Sequence, residues 1–292
     1  MSKRKQVSLG LALGGGGARG GAHVGVLRVL EREGIPIGPV AGTSAGGLVA
    51  LLYAAGKSPD EIMETMVRLH TGLLKLSSLG GDHAAVFSLE RVRPLLEEPI
   101  RGLTFADLQR PCAVVAVDIN YGEEVIIKEG LLIDALLATT AVPGLFPPVR
   151  TLGRVLVDGG ILNPVPVNAA RALGAEKVVA VCVSSARAEP YAEAGGLASM
   201  HLFGGHSLME LLPWREALQI YSKANTVTTV ELADRRLLLD GPDVIIRPMV
   251  GKVPLLDSQA LPGSEAAGVA ATISVLPQIK ELLKPPKRKF LW

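Results

Sequence analysis

The chain has 292 residues, 48% hydrophobic and 20% charged, with 33 glycines and a formal net charge of +2. That balance excludes a disordered polypeptide and suits one large domain built on a buried sheet. Aromatic residues at 4% leave few side chains on which nucleic-acid bases could stack, and the small net charge argues the same way. Basic residues gather at the ends, in tails over 1–6 and 284–292 that flank a single domain over 7–283. Such tails solubilise a chain and can also touch an anionic membrane surface. Cys112 and Cys182 lie in apolar runs without CxxC spacing, which fits a reducing compartment. The N-terminal apolar stretch is interrupted by glycines and an arginine, unlike a secretory signal, and the longest apolar run, 48–55, is far short of the roughly 20 residues of a membrane span. The expectation is a cytoplasmic protein, at most peripheral to membranes.

In chain order, residues 7–13 are an apolar run ending in glycines, as expected of a central strand, and 20–33 carry apolar residues at helical spacing. A second short strand over 37–41 runs into Gly42-Thr43-Ser44-Ala45-Gly46 and an apolar helix to Ala55. Ser58-Pro59-Asp60-Glu61 places a capping serine, a first-turn proline and a glutamate where a helix begins, predicting one that reaches about His70. Residues 71–87 lose periodicity and are expected to form a flap. Thr104-Phe105-Ala106-Asp107 is a second capping box, and 113–119 with 124–128 form a strand pair around Asn120-Tyr121-Gly122. A helix over 131–140, strands over 154–157 and 177–183 and a helix over 166–173 follow. Residues 186–212 form a second candidate flap, and a helix from Trp214 towards Thr228, a strand over 244–247 and a last helix from about Ser264 complete the chain. Strands alternating with helices imply an α/β fold with a mostly parallel central sheet covered on both faces.

The stretch Gly42-x-Ser44-x-Gly46 stands between a strand and a helix, the setting in which a sharp turn presents a nucleophilic hydroxyl. The helix that starts at Ala45 directs free N–H groups at any negative charge formed beside that serine. Gly14-Gly15-Gly16-Gly17-Ala18-Arg19-Gly20 follows the first strand and can converge several N–H groups on an anion. Its Gly15-x-Gly17-x-x-Gly20 spacing also fits a dinucleotide fingerprint. That use requires an acidic residue at the end of the second strand, where this chain has the serine turn instead. An oxyanion hole over Gly15, Gly16, Gly17 and Ala18 is the use that remains, with Arg19 tying the loop down, meeting a lipid phosphate or lying in solvent. Asp158-Gly159-Gly160 closes the strand over 154–157, and Asn163-Pro164-Val165-Pro166 follows as a rigid loop.

Together these pieces resemble the patatin-like phospholipase family: Gly15-Gly16-Gly17-Ala18-Arg19-Gly20, Gly42-Thr43-Ser44-Ala45-Gly46 and Asp158-Gly159-Gly160, with Ala141-Val142-Pro143-Gly144-Leu145-Phe146-Pro147-Pro148 like the block that precedes the aspartate in bacterial members. The resemblance covers residues 7–184 and weakens beyond them. It implies a three-layer α/β/α patatin-like fold, and a Ser44–Asp158 dyad without a catalytic histidine that cleaves acyl esters of phospholipids or related lipids. Gly42, Gly46, Gly159 and Gly160 support the motifs. A serine needs a base, and Asp158, desolvated between an apolar strand and two glycines, can have the raised pKa of one. His23 is expected to be a structural hydrogen-bonder. His83, His201 or His206 would be the candidates for a Ser-His-Asp triad, and Asp118 is expected to be a turn or network acid. The rival readings are a non-catalytic lipid-binding or regulatory protein and a dinucleotide-binding oxidoreductase. The acids and histidines show no metal-ligand spacing, so no metal or cofactor is expected, and the partner implied is a lipid acyl ester.

Overall fold

In the computed structural model, which describes residues 8–77, 85, 87–151, 153–184, 215–255 and 257–284, alternation along single strands sets up three layers. Strand β1 (Leu9–Leu13) sends Leu9, Leu11 and Leu13 into one core and Ala12 into another, because successive strand side chains leave opposite faces. Strand β7 (Lys177–Val181) divides the same way, Val179 and Val181 joining the leucines while Val178 and Ala180 join Ala12. The larger core lies under α1 (Gly21–Arg32), α2 (Ala45–Ala54), α3 (Pro59–Ser77), α4 (Leu89–Glu97), α5 (Leu132–Thr139) and α8 (Leu261–Leu282). The opposite face carries small residues, and α6 (Val167–Ala172) with the C-terminal turns of α7 (Arg215–Asp240) covers it through Ala169, Ala170, Ala233 and Leu237.

The sheet also contains β2 (Ile37–Thr43), β3 (Cys112–Asp118), β4 (Glu123–Ile127), β5 (Val149–Thr151), β6 (Arg154–Asp158) and β8 (Val244–Ile246). Pairings run β5-β6-β3-β2-β1-β7-β8, with β4 also on β3. The β3-β2-β1-β7-β8 part is parallel, as expected, whereas β4, β5 and β6 are antiparallel to their neighbours. One detail of register positions the site. Strand β4 occupies one edge of β3 from Val114 to Asp118, so β2 and β6 must share the other edge. They meet end to end there, with Thr43 opposite Val115 and Asp158 opposite Ala116.

Both capping boxes form: Ser58 N and Oγ donate to Glu61, and Thr104 N and Oγ1 donate to Asp107. Other expectations need correction. The helix expected to stop near His70 continues as α3 to Ser77, so 71–77 belong to a helix and not to a flap. Gly72 there serves close packing, since a Cβ would lie 2.9 Å from a Leu95 methyl of α4. Of the rest of that flap, Ala85 bridges to Gly144 and Phe87 stacks on Phe146 with ring centroids 5.0 Å apart. Residues 78–84 and 86, and the whole of 186–212, lie outside the described residues. Helix α4 contains Pro94, a residue that argues against a helix in sequence and so conceals it. Helix α7 passes Thr228 to reach Asp240, and within it Thr228 and Thr229 turn their hydroxyls back onto the carbonyls of Ala224 and Asn225.

Helices α1 and α8 cross where Gly25 and Gly268 let the backbones touch; a methyl at Gly25 would overlap Glu265 O and one at Gly268 would overlap Ala22 O. Replacing Gly268 with Ala should therefore destabilise the fold by ~2 kcal/mol in urea unfolding. Gly263→Ala in the same helix, where a methyl meets nothing within 4 Å, should be neutral or stabilise by up to ~1 kcal/mol. Equal midpoints for the two variants would contradict the close crossing.

Candidate active site

Ser44 is the non-glycine residue that has a positive φ among the described residues, with φ 54° and ψ −123° at the bend between β2 and α2. A left-handed serine costs ~1–3 kcal/mol and persists only where its surroundings hold it. Gly42 and Gly46 make the bend fit: a methyl on the first would overlap Gly46 O, and one on the second would overlap Leu13 O at the end of β1. The Ser44 N–H donates to Thr139 Oγ1 at 3.0 Å, Leu48 N donates to Ser44 O at 3.0 Å, and Thr43 Oγ1 donates to Asn163 O at 2.9 Å. The motif was legible in sequence; the part played by Thr139 was not, because only folding brings α5 beside the bend.

Asp158 is buried where β6 ends. Its N–H donates to Ala141 O at 3.0 Å and its Oδ1 accepts from Gly160 N at 2.7 Å. Burial pushes its carboxyl up to about 6, against the opposing effects of a side-chain interaction with Ser44 and of the Gly160 N–H. Oδ2 is buried without an aligned hydrogen-bond partner among the described residues. The Ser44 hydroxyl is thus close enough to act on the carboxyl but does not make a well-formed hydrogen bond with it. Gly159 must be small here, since a methyl would overlap Val115 O.

The glycine loop lies directly against the bend: a Cβ on Gly15 would come 3.2 Å from Ser44 Cβ. Several segments hold it. Gly14 N donates to Val181 O at 2.9 Å, Gly15 N to Pro164 O at 3.0 Å and Ala18 N to Leu255 O at 2.7 Å. His23, fully buried, bonds Gly14 O through Nε2 at 2.7 Å, which requires the proton on that nitrogen. Burial lowers its pKa to about 4, so the ring is neutral at pH 7 and acts as a tether, in line with the structural role expected of it. Of the expected oxyanion donors, Gly15 and Ala18 have their N–H groups engaged elsewhere. Those of Gly16 and Gly17 have no partner among the described residues. Arg19 and Gly20 stand in the short turn that leads into α1, with Arg19 buried and not in solvent; its Nε donates to Val253 O at 2.8 Å and an Nη to Gly251 O at 3.4 Å.

Other polar residues sort accordingly. Asp118 Oδ1 accepts from Asn120 N at 3.2 Å and Val155 N at 3.4 Å, the turn role expected of it. His70 Nδ1 bonds Met66 O one turn back in α3, and His83, His201 and His206 lie outside the described residues. Glu124 receives hydrogen bonds from the side chains of Asn163, Asn168 and Arg236, bracing the loop that follows Asp158 against α7. No group of three or more His, Cys, Asp or Glu suited to a metal ion occurs among the described residues.

A strained serine bend between a strand and a helix, with a glycine loop on one side and a buried aspartate on the other, gathers where β1, β2 and β6 end in an α/β fold. This chain belongs to the patatin-like phospholipase family, whose model matches residues 11–171. An uncharacterized NTE family protein of Mycobacterium tuberculosis is 32% identical over 184 residues, which cover 63% of this chain and 51% of that one. A patatin-like phospholipase domain-containing protein of Caenorhabditis elegans is 37% identical over 186 residues, covering 61% of this chain and 14% of that one. The chain thus spans about half of the first relative's length and a small part of the second's. The structure of VipD from Legionella pneumophila shares the fold, with a TM-score of 0.55 at 14% identity over 97% of this chain and 71% of that one.

The family match ends at 171, yet Leu255, Val253 and Gly251 grip the glycine loop from beyond it. Arg19→Ala should accordingly lower stability by ~2–3 kcal/mol, because buried carbonyls lose a charged donor. Thermal unfolding without any lipid checks this; a wild-type midpoint would show that the arginine does not brace the loop.

Proposed function

We propose that the protein is a serine acyl hydrolase cleaving carboxylic ester bonds of phospholipids or related lipids, with Ser44 as nucleophile and Asp158 as its base. The observation that carries this reading is the end-to-end meeting of β2 and β6, which sets a strained hydroxyl beside a buried carboxyl whose pKa is about 6. Family membership supports an ester-bearing lipid as the substrate class.

In the first half-reaction Ser44 Oγ attacks the acyl carbonyl carbon while its proton passes to Asp158. The carbonyl oxygen becomes negative facing the open N–H groups of Gly16 and Gly17 and the first turn of α2 at Ala45. Such donors contribute ~3 kcal/mol each, because they are fixed in place before charge develops. The intermediate collapses as Asp158 returns the proton to the departing alcohol, leaving Ser44 acylated. Water then attacks the acyl-enzyme, giving a proton to Asp158; collapse releases the fatty acid and restores the Ser44 hydroxyl. These steps call on no metal, so turnover should be the same with and without EDTA. No helix among the described residues is long and apolar enough to cross a membrane, so we propose that lipid is met peripherally.

Hydrolysis of p-nitrophenyl acyl esters of graded chain length tests the reading. Ser44→Ala and Asp158→Asn should each lower turnover by at least about a thousandfold. Alanine at His83, His201 or His206 should leave it intact, and a loss at one of these as deep as that of Ser44→Ala would establish a triad. A non-catalytic lipid-binding protein would release no nitrophenol in any form.

The pKa of Asp158 has two further consequences. The base must be ionised, so kcat/KM should fall as pH drops through about 6. A folded-state pKa above the ordinary 3.8 also means that the native protein binds more protons than the unfolded chain between these values, so the Asp158 contribution to stability declines as pH rises through about 6. Asp158→Asn should therefore gain stability over wild type at pH 8 and lose that gain below about pH 4. A gain that grew towards low pH would contradict the raised value.

A further inference from the structure

We infer that Thr139 is a positioning residue for acylation, holding Ser44 and Asp158 in mutual reach; the inference rests on the Ser44–Asp158 reading above. Thr139 is the last residue of α5 and is fully buried. Its Oγ1 accepts from Ser44 N at 3.0 Å and donates to Val115 O at 2.6 Å. A backbone N–H can only donate and a carbonyl can only accept, so the group between them must do both. A hydroxyl meets that demand, whereas an isosteric valine would leave both backbone groups buried and unpaired.

The carbonyl that receives the hydroxyl is no arbitrary one. Val115 faces Thr43 across the β2–β3 pairing, and its oxygen is the atom that a side chain on Gly159 would strike. Thr139 is therefore bonded at the junction where β2 gives way to β6. Two residues further on, Ala141 O accepts from Asp158 N at 3.0 Å. One short segment at the end of α5 thus holds the nucleophile through a side chain and the base through its backbone. The Thr139 side chain is itself confined by α2, where a Cβ on Gly47 would lie 2.9 Å from its methyl and 3.2 Å from its hydroxyl oxygen.

The role follows from the backbone of Ser44. A left-handed serine is unfavourable on its own, by an amount similar to what one buried hydrogen bond returns. The Ser44 N–H lies outside the hydrogen-bond ladder of α2, and Thr139 supplies its acceptor. Without that acceptor the bend is free to relax towards an ordinary conformation, turning the hydroxyl away from Asp158 while the rest of the fold stays in place.

The test compares Thr139→Val, Thr139→Ala and Thr139→Ser with wild type on a p-nitrophenyl acyl ester, with kcat expressed per folded molecule from thermal and urea unfolding. Valine and alanine should lower kcat about a hundredfold with KM essentially unchanged, as misplaced reacting groups do. Serine, which keeps the hydroxyl, should restore most of kcat together with the wild-type acidic limb of the pH profile. Wild-type kcat per folded molecule in Thr139→Val, or a loss confined to KM, would overturn the inference. So would failure of both the valine and alanine variants to fold while Thr139→Ser folds, since the hydroxyl would then serve stability alone. Ser44→Ala in the same series separates the two ideas. If it is inactive while Thr139→Val is fully active, only the positioning role is lost; if it is fully active, the Ser44–Asp158 reading falls as well.

Discussion

One edge of β3 carries two strands in succession, and the site depends on that. Parallel β2 arrives as far as Val115 and leaves into α2 at Ser44; antiparallel β6 arrives from the other direction and ends at Asp158 opposite Ala116. Neither chain can pass through the other, so each must turn sharply out of the sheet at the same place. The bends are where side chains are freed from the pleat and can face one another. Glycine is required because two turning backbones and the end of β1 occupy one small volume, and Gly42, Gly46 and Gly159 each fill a space that a methyl group would overrun. The costs are a left-handed serine and a buried carboxyl, and the two cores beneath them offset both.

The electrostatics follow from the same crowding. Among the described residues no cation is paired with Asp158: its shift is dominated by burial, opposed by the Ser44 hydroxyl and the Gly160 N–H. A carboxyl near 6 is ionised at neutral pH yet basic enough to accept a proton, which a solvent-exposed aspartate at its ordinary value does poorly. His23, the buried histidine nearest in sequence to the glycine loop, is neutral and bound to Gly14 O, so it supports the loop's shape and adds no charge to it. The loop is held by Val181, Pro164, Leu255 and the Arg19 guanidinium, from strands and loops on several sides. On the proposed reading, a loop fixed in this way offers its remaining N–H groups, those of Gly16 and Gly17, without reorganisation when an oxyanion forms.

How much of this could be seen in the chain alone depended on the range of the interaction. The serine bend, the Asp-Gly-Gly turn and the capping boxes at Ser58 and Thr104 are each specified within a few residues, and the alternation of strands and helices pointed to the layered fold. What was hidden is non-local. The antiparallel run of β6 follows from its pairing with β3, and nothing in the residues 154–158 announces it. The engagement of the Gly15 and Ala18 N–H groups depends on Pro164 and on Leu255, far along the chain, and the place of Thr139 beneath Ser44 depends on how α5 packs against the sheet. Local propensity misled where packing overrode it: the helix that loses its apolar period after His70 continues to Ser77 with Gly72 packed against Leu95, and Pro94 lies inside a helix.

In the proposed reaction the Ser44 hydroxyl is a nucleophile activated by a buried carboxylate. Reaction with an alkyl fluorophosphonate, followed by intact-mass measurement and peptide mapping, addresses it without reference to the natural lipid. One covalent adduct per chain is expected, on Ser44, formed more slowly as pH falls through about 6 and scarcely at all in Asp158→Asn. An adduct on another residue, or one on Ser44 whose rate is indifferent to Asp158, would contradict it.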